Sequence, residues 1–542
     1  MKIHPLCLLL FLSLLVPDVG TAQGLSSEQI IQERIYGENS GRLSAAGKIL
    51  FSRIEMPKFY TNRNFELAWG DGQNRRDLMA SIASSFDEGL DPADYHQEKI
   101  SQLLEQEEQG ELSNAEKADL DMLMTDALIM YAAHLLGGKL EQSELRKEWD
   151  VEKNARPANV DSLLTVNLHN HRIKSALEGL KPSHYVYSLM KMHLKRLREV
   201  AAAGGWPKVG RGEESLKKEM SDPRVTEVRA YLRSTGDLIG ETKVAEDYFD
   251  EILEQAVRRF QTRHNLLVDG VVGKGTVEQM NVTVEQRIET IRLNLERLRW
   301  IFHNPDEDFL MVNIAGFWVK RFQNRKEVFH SKVIVGTHLR ESPIFKGVMR
   351  YVVVNPTWTL PYSIATHETL PLVKKDPGYL QAKHMEIIDG SGKVLNPKSI
   401  DFNKYSMGNF PYVIRQRPGP WNALGRIKFM FPNKYSVYLH DTPSRGLFER
   451  ADRAFSHGCI RTDNVWGLFF NLMNDPENWN MERVEQLLDT GVTTTIDLPK
   501  PVNIYLIYLT STVDENNMLY FTKDVYKRDA AVSRALNQPA AY

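Results

Sequence analysis

Cysteine is almost absent from this chain: Cys7 and Cys459 are the two in 542 residues. An excess of either charge is missing as well, since 68 Lys and Arg against 70 Asp and Glu leave a formal net charge of −2. A near-neutral chain lacks the basic footprint that nucleic acid requires, so no nucleic-acid partner is expected. Long apolar runs are missing after the N-terminus, and no integral membrane span is expected in the mature chain. The short run "LCLLLFLSLLV", Leu6 to Val16, follows one lysine and precedes Gly20 and Ala22. This predicts a secretory signal over 1–22, cut after Ala22, with a retained N-terminal anchor as the alternative. Cys7 falls inside it, so the mature chain would hold one thiol and no internal disulfide. Such a thiol is either a small buried hydrophobe or a reactive group.

What is present predicts an α+β multidomain protein. The composition, 42% hydrophobic and 25% charged, is that of a soluble globular chain. Residues 25–202 are helix-rich and form a scaffold. Within 115–136, Leu120, Met124, Leu128 and Tyr131 fall on one helical face, as do Val186, Leu189, His193 and Leu197 within 183–200. "FYTNRNFELAW" and "GLDPADYH" are turn-and-aromatic segments between helices. Residues 203–223, with four glycines and two prolines, are expected as a linker. A compact helical unit follows over 224–282. There Leu253, Val257 and Phe260 stripe one helix, Asp269-Gly270 and Gly273 turn, and Lys274 to Met280 is a short helix. Thr283 and Gln286 cap a connecting helix over 283–307. From 308 to 500 the period shifts to β-branched and aromatic runs. The different character of 362–420 predicts a partly helical capping insertion, a candidate lid. Strands and a tail are expected over 501–542.

The chemistry concentrates in "YLHDTPSRGLFERADRAFSHGCIRTDN", residues 438–464. Acyl transfer through cysteine needs a thiolate, a base, an oxyanion hole and a groove. Gly458 before Cys459 permits a tight backbone conformation. A helix beginning at Thr462 or Asp463 would place Cys459 just ahead of its N-terminus and lower the thiol pKa. His440, 19 residues earlier, can act as base if the intervening loop folds back. His457 is an alternative base or an orienting residue. A zinc site of His440, His457 and Cys459 is a further alternative, although no second cysteine or carboxylate joins at metal spacing.

The order "AVRRFQ…LLVDGVVGKGTVEQM" resembles the peptidoglycan-binding module, a small three-helix domain. "HDTP" with "FSHGCIR", preceded by "RESP", "VNPTWTLP" and "RPGPWNALGRIKF", is similar to the L,D-transpeptidase (YkuD-type) family, in its larger periplasmic form. That resemblance implies Cys459 as nucleophile and His440 as base, oriented by the backbone carbonyl of Asp441. It implies an oxyanion hole from the N–H groups of Gly458 and Cys459, helped by the Tyr438 hydroxyl. Arg461 would contact a substrate carboxylate, with a surface salt bridge as the alternative. His457 and Ser456 would border the substrate, and Trp358 and Trp421 would wall the groove or pack in the core. The implied partners are peptidoglycan stem peptides and glycan, and no metal or organic cofactor is called for. The implied reaction passes an acyl group from a tetrapeptide stem to a neighbouring amine with release of D-Ala, and implies carbapenem sensitivity. Water, a lipoprotein lysine or a free D-amino acid are alternative acceptors, and a non-catalytic wall-binding scaffold is the alternative of another class.

Overall fold

The computed structural model describes residues 24–37, 43–140, 149–150, 160–241, 243–301 and 306–540. The expected signal, 1–22, lies outside them. The chain divides into two compact units.

The first comprises the described residues of 24–80, 93–130 and 160–173. Its elements are helix α1 (Ser27–Tyr36), the hairpin β1 (Ser44–Ala45) and β2 (Lys48–Ile49), α2 (Glu55–Thr61), α3 (Gly72–Ser84), α4 (Gln97–Glu108), α5 (Asn114–Gly137) and α6 (Val160–His169), with α3 and α5 running on past its bounds. Helix α5 is buried almost all round rather than on one stripe, and it is long and apolar enough to cross a membrane by length and composition. Its packing inside the fold accounts for that composition. Two carboxylates on it, Asp121 and Asp126, are buried because they collect loop donors. Asp121 accepts from the Tyr60 hydroxyl at 2.6 Å and from the Ala68 and Trp69 N–H groups, which ties down "FYTNRNFELAW". Asp126 accepts from the Ser52 N–H and from His96 Nε2, both at 2.8 Å, which ties down "GLDPADYH".

The second unit holds α7 (Ile173–Gly179, all but its first residue), α8 (Tyr185–Ala202), the small helical module, the β-rich domain and its insertion. The module consists of α9 (Pro223–Thr235), α10 (Glu251–Arg263) and α11 (Lys274–Met280) around Val225, Tyr231, Leu253, Val257 and Phe260. Val209 and Leu216 are buried in the same core, and Leu216 bridges Val272. Much of the expected linker is therefore part of the module, because Val209 and Leu216 find a core despite the surrounding glycines. Helix α12 (Val284–Ile301) follows.

The β-rich part is built from β3 (Trp149–Asp150), β4 (Phe309–Asn313), β5 (Trp318–Gln323), β6 (Lys326–Gly336), β7 (Ile344–Val354), β12 (Ile427–Met430), β13 (Leu439–His440), β14 (Ala454–Ser456), β15 (Ile460–Thr462) and β16 (Thr494–Ile507). Eight of these pair in the order β12-β13-β15-β6-β5-β4-β16-β7, and β7 pairs again with β12, so the ring of hydrogen-bonded neighbours closes. Closure removes sheet edges. Strand β16 crosses the expected boundary at 500: Thr494–Asp497 pair with the end of β7, and Asn503–Ile507 lie between β7 and β4. The C-terminal segment is thus integral to the sheet. It continues through the hairpin β17 (Ser511–Val513) and β18 (Leu519–Phe521) and ends in α18 (Asp529–Leu536), a helix where a tail was expected.

The insertion carries its own core and its own sheet. Strands β8 (Trp358–Thr359), β9 (Met385–Ile388), β10 (Val394–Leu395) and β11 (Val413–Gln416) pair in the order β10-β9-β11-β8. The short helices α13 (Tyr362–Ile364), α14 (Leu370–Lys375) and α15 (Tyr379–Ala382) pack with them around Leu370, Val373, Ile387, Phe402 and Ile414. Helices α16 (Val465–Met473) and α17 (Met481–Asp489) complete the domain.

Candidate active site

Strand pairing brings His440 to Cys459. Strands β13 and β15 run parallel with Leu439 opposite Ile460 and His440 opposite Arg461, so Tyr438 stands level with Cys459. On the other side of β13, Lys428 of β12 is paired with His440. Side chains alternate along a strand and directly paired residues share a face. Tyr438, His440, Cys459, Arg461 and Lys428 therefore share one face of the sheet, while Leu439, Ile460 and Phe429 point into the opposite core.

His440 is 4% exposed, and its Nδ1 donates to the Asp441 carbonyl at 2.5 Å. This places the proton on Nδ1 and leaves the Nε2 lone pair as the basic site. Burial, with the Arg461 charge beside it, pulls the imidazole down to about 3, so the ring is neutral. The Asp441 side chain faces away from the imidazole: Oδ2 accepts from the Arg426 N–H at 2.9 Å and packs where a Cβ on Gly425 would sit. Its role in this geometry is to hold the 425–426 turn.

Cys459 is half-buried, and its Sγ lies 3.9 Å from the Ser436 carbonyl. Among the described residues no hydrogen bond joins it to His440. Burial pushes the thiol up, while contacts with Tyr438 and the charges of Arg461 and Lys428 oppose that rise. The expected help from a helix N-terminus is not there. Strand β15 follows Cys459 directly, and α16 begins only at Val465, capped by Asn464. Two cations on the same sheet face, Arg461 of β15 and Lys428 of β12, stand in its place.

The loop 456–459 is fixed from within. Ser456 Oγ accepts from the Gly458 N–H at 3.1 Å and donates to the Cys459 carbonyl at 2.5 Å. Gly458 has φ +114°, which disfavours any side chain there. Its carbonyl accepts from the buried Ser342 hydroxyl at 2.7 Å, the serine of "RESP". Gly458 was expected to give its N–H to an oxyanion hole, but that donor is already committed to Ser456. The donors facing the sulfur are the Tyr438 N–H and the Tyr438 hydroxyl, and the Cys459 N–H forms no hydrogen bond among the described residues.

Arg461 makes no ion pair among the described residues, and its Nε is buried without a partner. The surface salt-bridge alternative therefore does not hold. Lys428, which sequence reasoning missed, likewise has no carboxylate partner among the described residues; burial lowers its pKa while the Cys459 charge opposes the change. The polar-between-apolar alternation of "IKF" marks it as lying on the His440 face, but only the register names its neighbours. His457 turns outward to Glu368 Oε1 at 3.0 Å, and Arg340 binds the same oxygen at 2.7 Å. It thus links the 456–459 loop to the insertion, away from the thiol. Trp358 packs on the insertion's core, and Trp421 stacks on His384 at 3.9 Å with 44% exposure. Among the described residues no three His, Cys, Asp or Glu side chains converge as metal ligands.

Comparison with protein families matches three stretches of the chain. The family model described as the L,D-transpeptidase catalytic domain matches residues 307–503. Over these residues the chain is similar to the L,D-transpeptidase catalytic domain. A scaffold-domain model matches 55–194, and one described as "Putative peptidoglycan binding domain" matches 221–280. A curated relative from Haemophilus influenzae, named "Putative L,D-transpeptidase", is 33% identical over 262 residues, 48% of this chain and 51% of that protein. The chain thus spans about half the length of that relative. The N-acetylmuramoyl-L-alanine amidase CwlM of Mycobacterium tuberculosis is 48% identical over 59 residues, 10% of this chain and 14% of that one. Among solved structures, an L,D-transpeptidase from Xylanimonas cellulosilytica is 13% identical with TM-score 0.18, covering 55% of this chain and 100% of that one. Another, from Stackebrandtia nassauensis, is 12% identical with TM-score 0.21, covering 56% and 96%. Within the matched residues 307–503, then, Cys459, His440, Tyr438, Arg461 and Lys428 form one cluster, while His457, Trp358 and Trp421 are held by the insertion.

Proposed function

We propose that the chain is a periplasmic, cysteine-dependent L,D-transpeptidase that forms 3→3 cross-links in peptidoglycan. The observation that carries this is a lone thiol and a neutral, oriented imidazole on one sheet face inside a domain similar to that family's catalytic domain. Cys459 loses its proton to His440 Nε2, and the thiolate attacks the carbonyl of the third stem residue, a diaminopimelate. Negative charge on the former carbonyl oxygen is met by the Cys459 N–H and the Tyr438 hydroxyl. His440 returns the proton to the departing amine, so D-Ala leaves and a thioester remains. The side-chain amine of a second stem attacks the thioester, gives its proton to His440, and frees the thiolate as the new amide forms. Arg461 and Lys428, cations with no ion pair among the described residues, suit the free carboxylates of the donor stem. The same thiolate would take a carbapenem as an acylating agent.

The decisive experiment is incubation of the mature chain with disaccharide-tetrapeptide and mass analysis of the products. A dimer lacking one D-Ala is expected; tripeptide alone would point to water as acceptor and sink the cross-linking claim.

Lys428 also has a measurable effect on the thiol. Lys428→Met removes a cation facing Cys459, so the thiol pKa rises, the thiolate fraction at pH 7 falls, and alkylation by iodoacetamide slows by roughly tenfold per unit of rise. Lys428→Arg should keep the wild-type profile. Identical pH profiles for Lys428→Met and wild type would remove Lys428 from this role.

A further inference from the structure

Far from the thiol, a cavity of about 170 Å³ lies where the three-helix module meets α8, α12 and the β17–β18 hairpin. Four arginines line it, Arg196, Arg259, Arg263 and Arg287, with Asp237 as the only carboxylate among the described lining residues. That carboxylate is already spent: Oδ1 accepts from Arg263 Nε at 2.7 Å, and Oδ2 from Arg263 Nη2 at 2.5 Å and from the Thr235 hydroxyl. Arg259 gives its Nε to the Asp237 carbonyl at 2.8 Å. Arg287 is 6% exposed, lies over the Phe521 ring at 4.5 Å, and spends Nη2 on Gln279. Neither Arg196, Arg259 nor Arg287 has an ion pair among the described residues. The two histidines of the wall add no charge of either sign. His264 is buried, gives Nδ1 to the Phe260 carbonyl, and is held well below its ordinary value by burial and by Arg263 and Arg287. His193 faces Asn517 and is lowered by burial and by Arg196 and Arg263.

Like charges collected in a partly desolvated cavity repel one another, and a chain keeps such an arrangement where an anion completes it. We propose that this cavity is an anion site that takes one carboxylate or phosphate group between the module and the catalytic body. At ~30 Å³ per water the space admits one oxyanion with a few waters, not a sugar ring with its substituents. The planar guanidinium forks suit both oxyanions. A carboxylate would come from a peptide terminus or stem of the wall, a phosphate from a phosphorylated polymer or from solution.

The test is thermal unfolding of the full mature chain titrated with sodium phosphate or sodium acetate, each against sodium chloride at matched ionic strength. A saturable rise in Tm above the chloride control is expected for at least one of the two, and the one that acts identifies the anion class. Arg287 is buried, so its loss risks misfolding. The double variant Arg196→Gln/Arg259→Gln alters partly exposed side chains instead, and should weaken the responding anion at least about tenfold. No response to either anion beyond chloride overturns the proposal, as does an unchanged affinity in a folded double variant. Because both probes lack an acyl donor, the result stands apart from the transpeptidase proposal.

Discussion

Cys459→Ala is expected to abolish the cross-linked dimer, with a loss in kcat/KM of roughly ten-thousandfold or more. The expectation is this large because no other thiol is available: the other cysteine of the chain lies in the N-terminal segment expected to be removed. Alanine is also a clean replacement structurally. The loop around position 459 is held by Ser456, Gly458 and Ser342, whose bonds use backbone groups and hydroxyls rather than the sulfur. The variant should therefore unfold at a Tm close to wild type. Acylation by a carbapenem, read as a mass increment on the intact protein, should vanish with it. Dimer formation at an undiminished rate in Cys459→Ala would end the thioester mechanism.

His440→Gln should lower kcat/KM by about a hundredfold to ten-thousandfold. Glutamine can fill part of the site and still donate to the Asp441 carbonyl, but it has no lone pair of comparable basicity to take the thiol proton. The pH profile separates base from packing. The wild-type imidazole is pulled down to about 3 and so stays neutral across the working range. With His440 as the base, the reactive form is thiol beside neutral imidazole, so kcat/KM should be level from about pH 5 up to the raised thiol pKa, its acid limb lying well below neutral pH. An acid limb centred near pH 6.5 would contradict that assignment. Stability gives a second readout. The folded imidazole pKa lies below the unfolded value, so between about 3 and 6.5 the unfolded state binds the extra proton and stability falls as pH is lowered. At pH 5 this group alone costs the wild type about 2 kcal/mol relative to pH 7. Urea unfolding of His440→Gln should be less sensitive to pH by that amount.

The absence of a His440–Cys459 hydrogen bond does not conflict with these expectations. Catalytic hydrogen bonds are often longer without substrate and tighten in the complex. What the fold supplies is a shared face and a fixed tautomer, with the thiol free to turn from Ser436.

Parts of this were legible in the residues alone. Periodicity suffices for the helices of the module, since Leu253, Val257 and Phe260 can share a core only at helical spacing. The change from helical to alternating patterning near 308 likewise marks the β-rich domain. "SHGC" with an upstream "YLHD" nominates a thiol and a histidine, because few residue types do acyl-transfer chemistry. Other features were not legible because they depend on partners distant in sequence. Val209 and Leu216 sit among glycines, and nothing local reveals that the module's core receives them. Strand β16 cannot be recognised as central until β4 and β7 flank it.

The sequence by itself determined the inventory: one thiol beyond the expected signal, the glycine before it, a histidine nineteen residues upstream and three recognisable modules. Tertiary structure alone decided how that inventory is wired. It put a strand rather than a helix after Cys459, assigned the Gly458 N–H to Ser456, and sent His457 to Glu368 on the insertion. It also added Lys428 to the thiol's surroundings through strand register. The physical reason is that chemical identity and local spacing are properties of the chain, whereas a pKa, a spent donor or an unpaired cation depends on groups that only strand pairing and burial bring together.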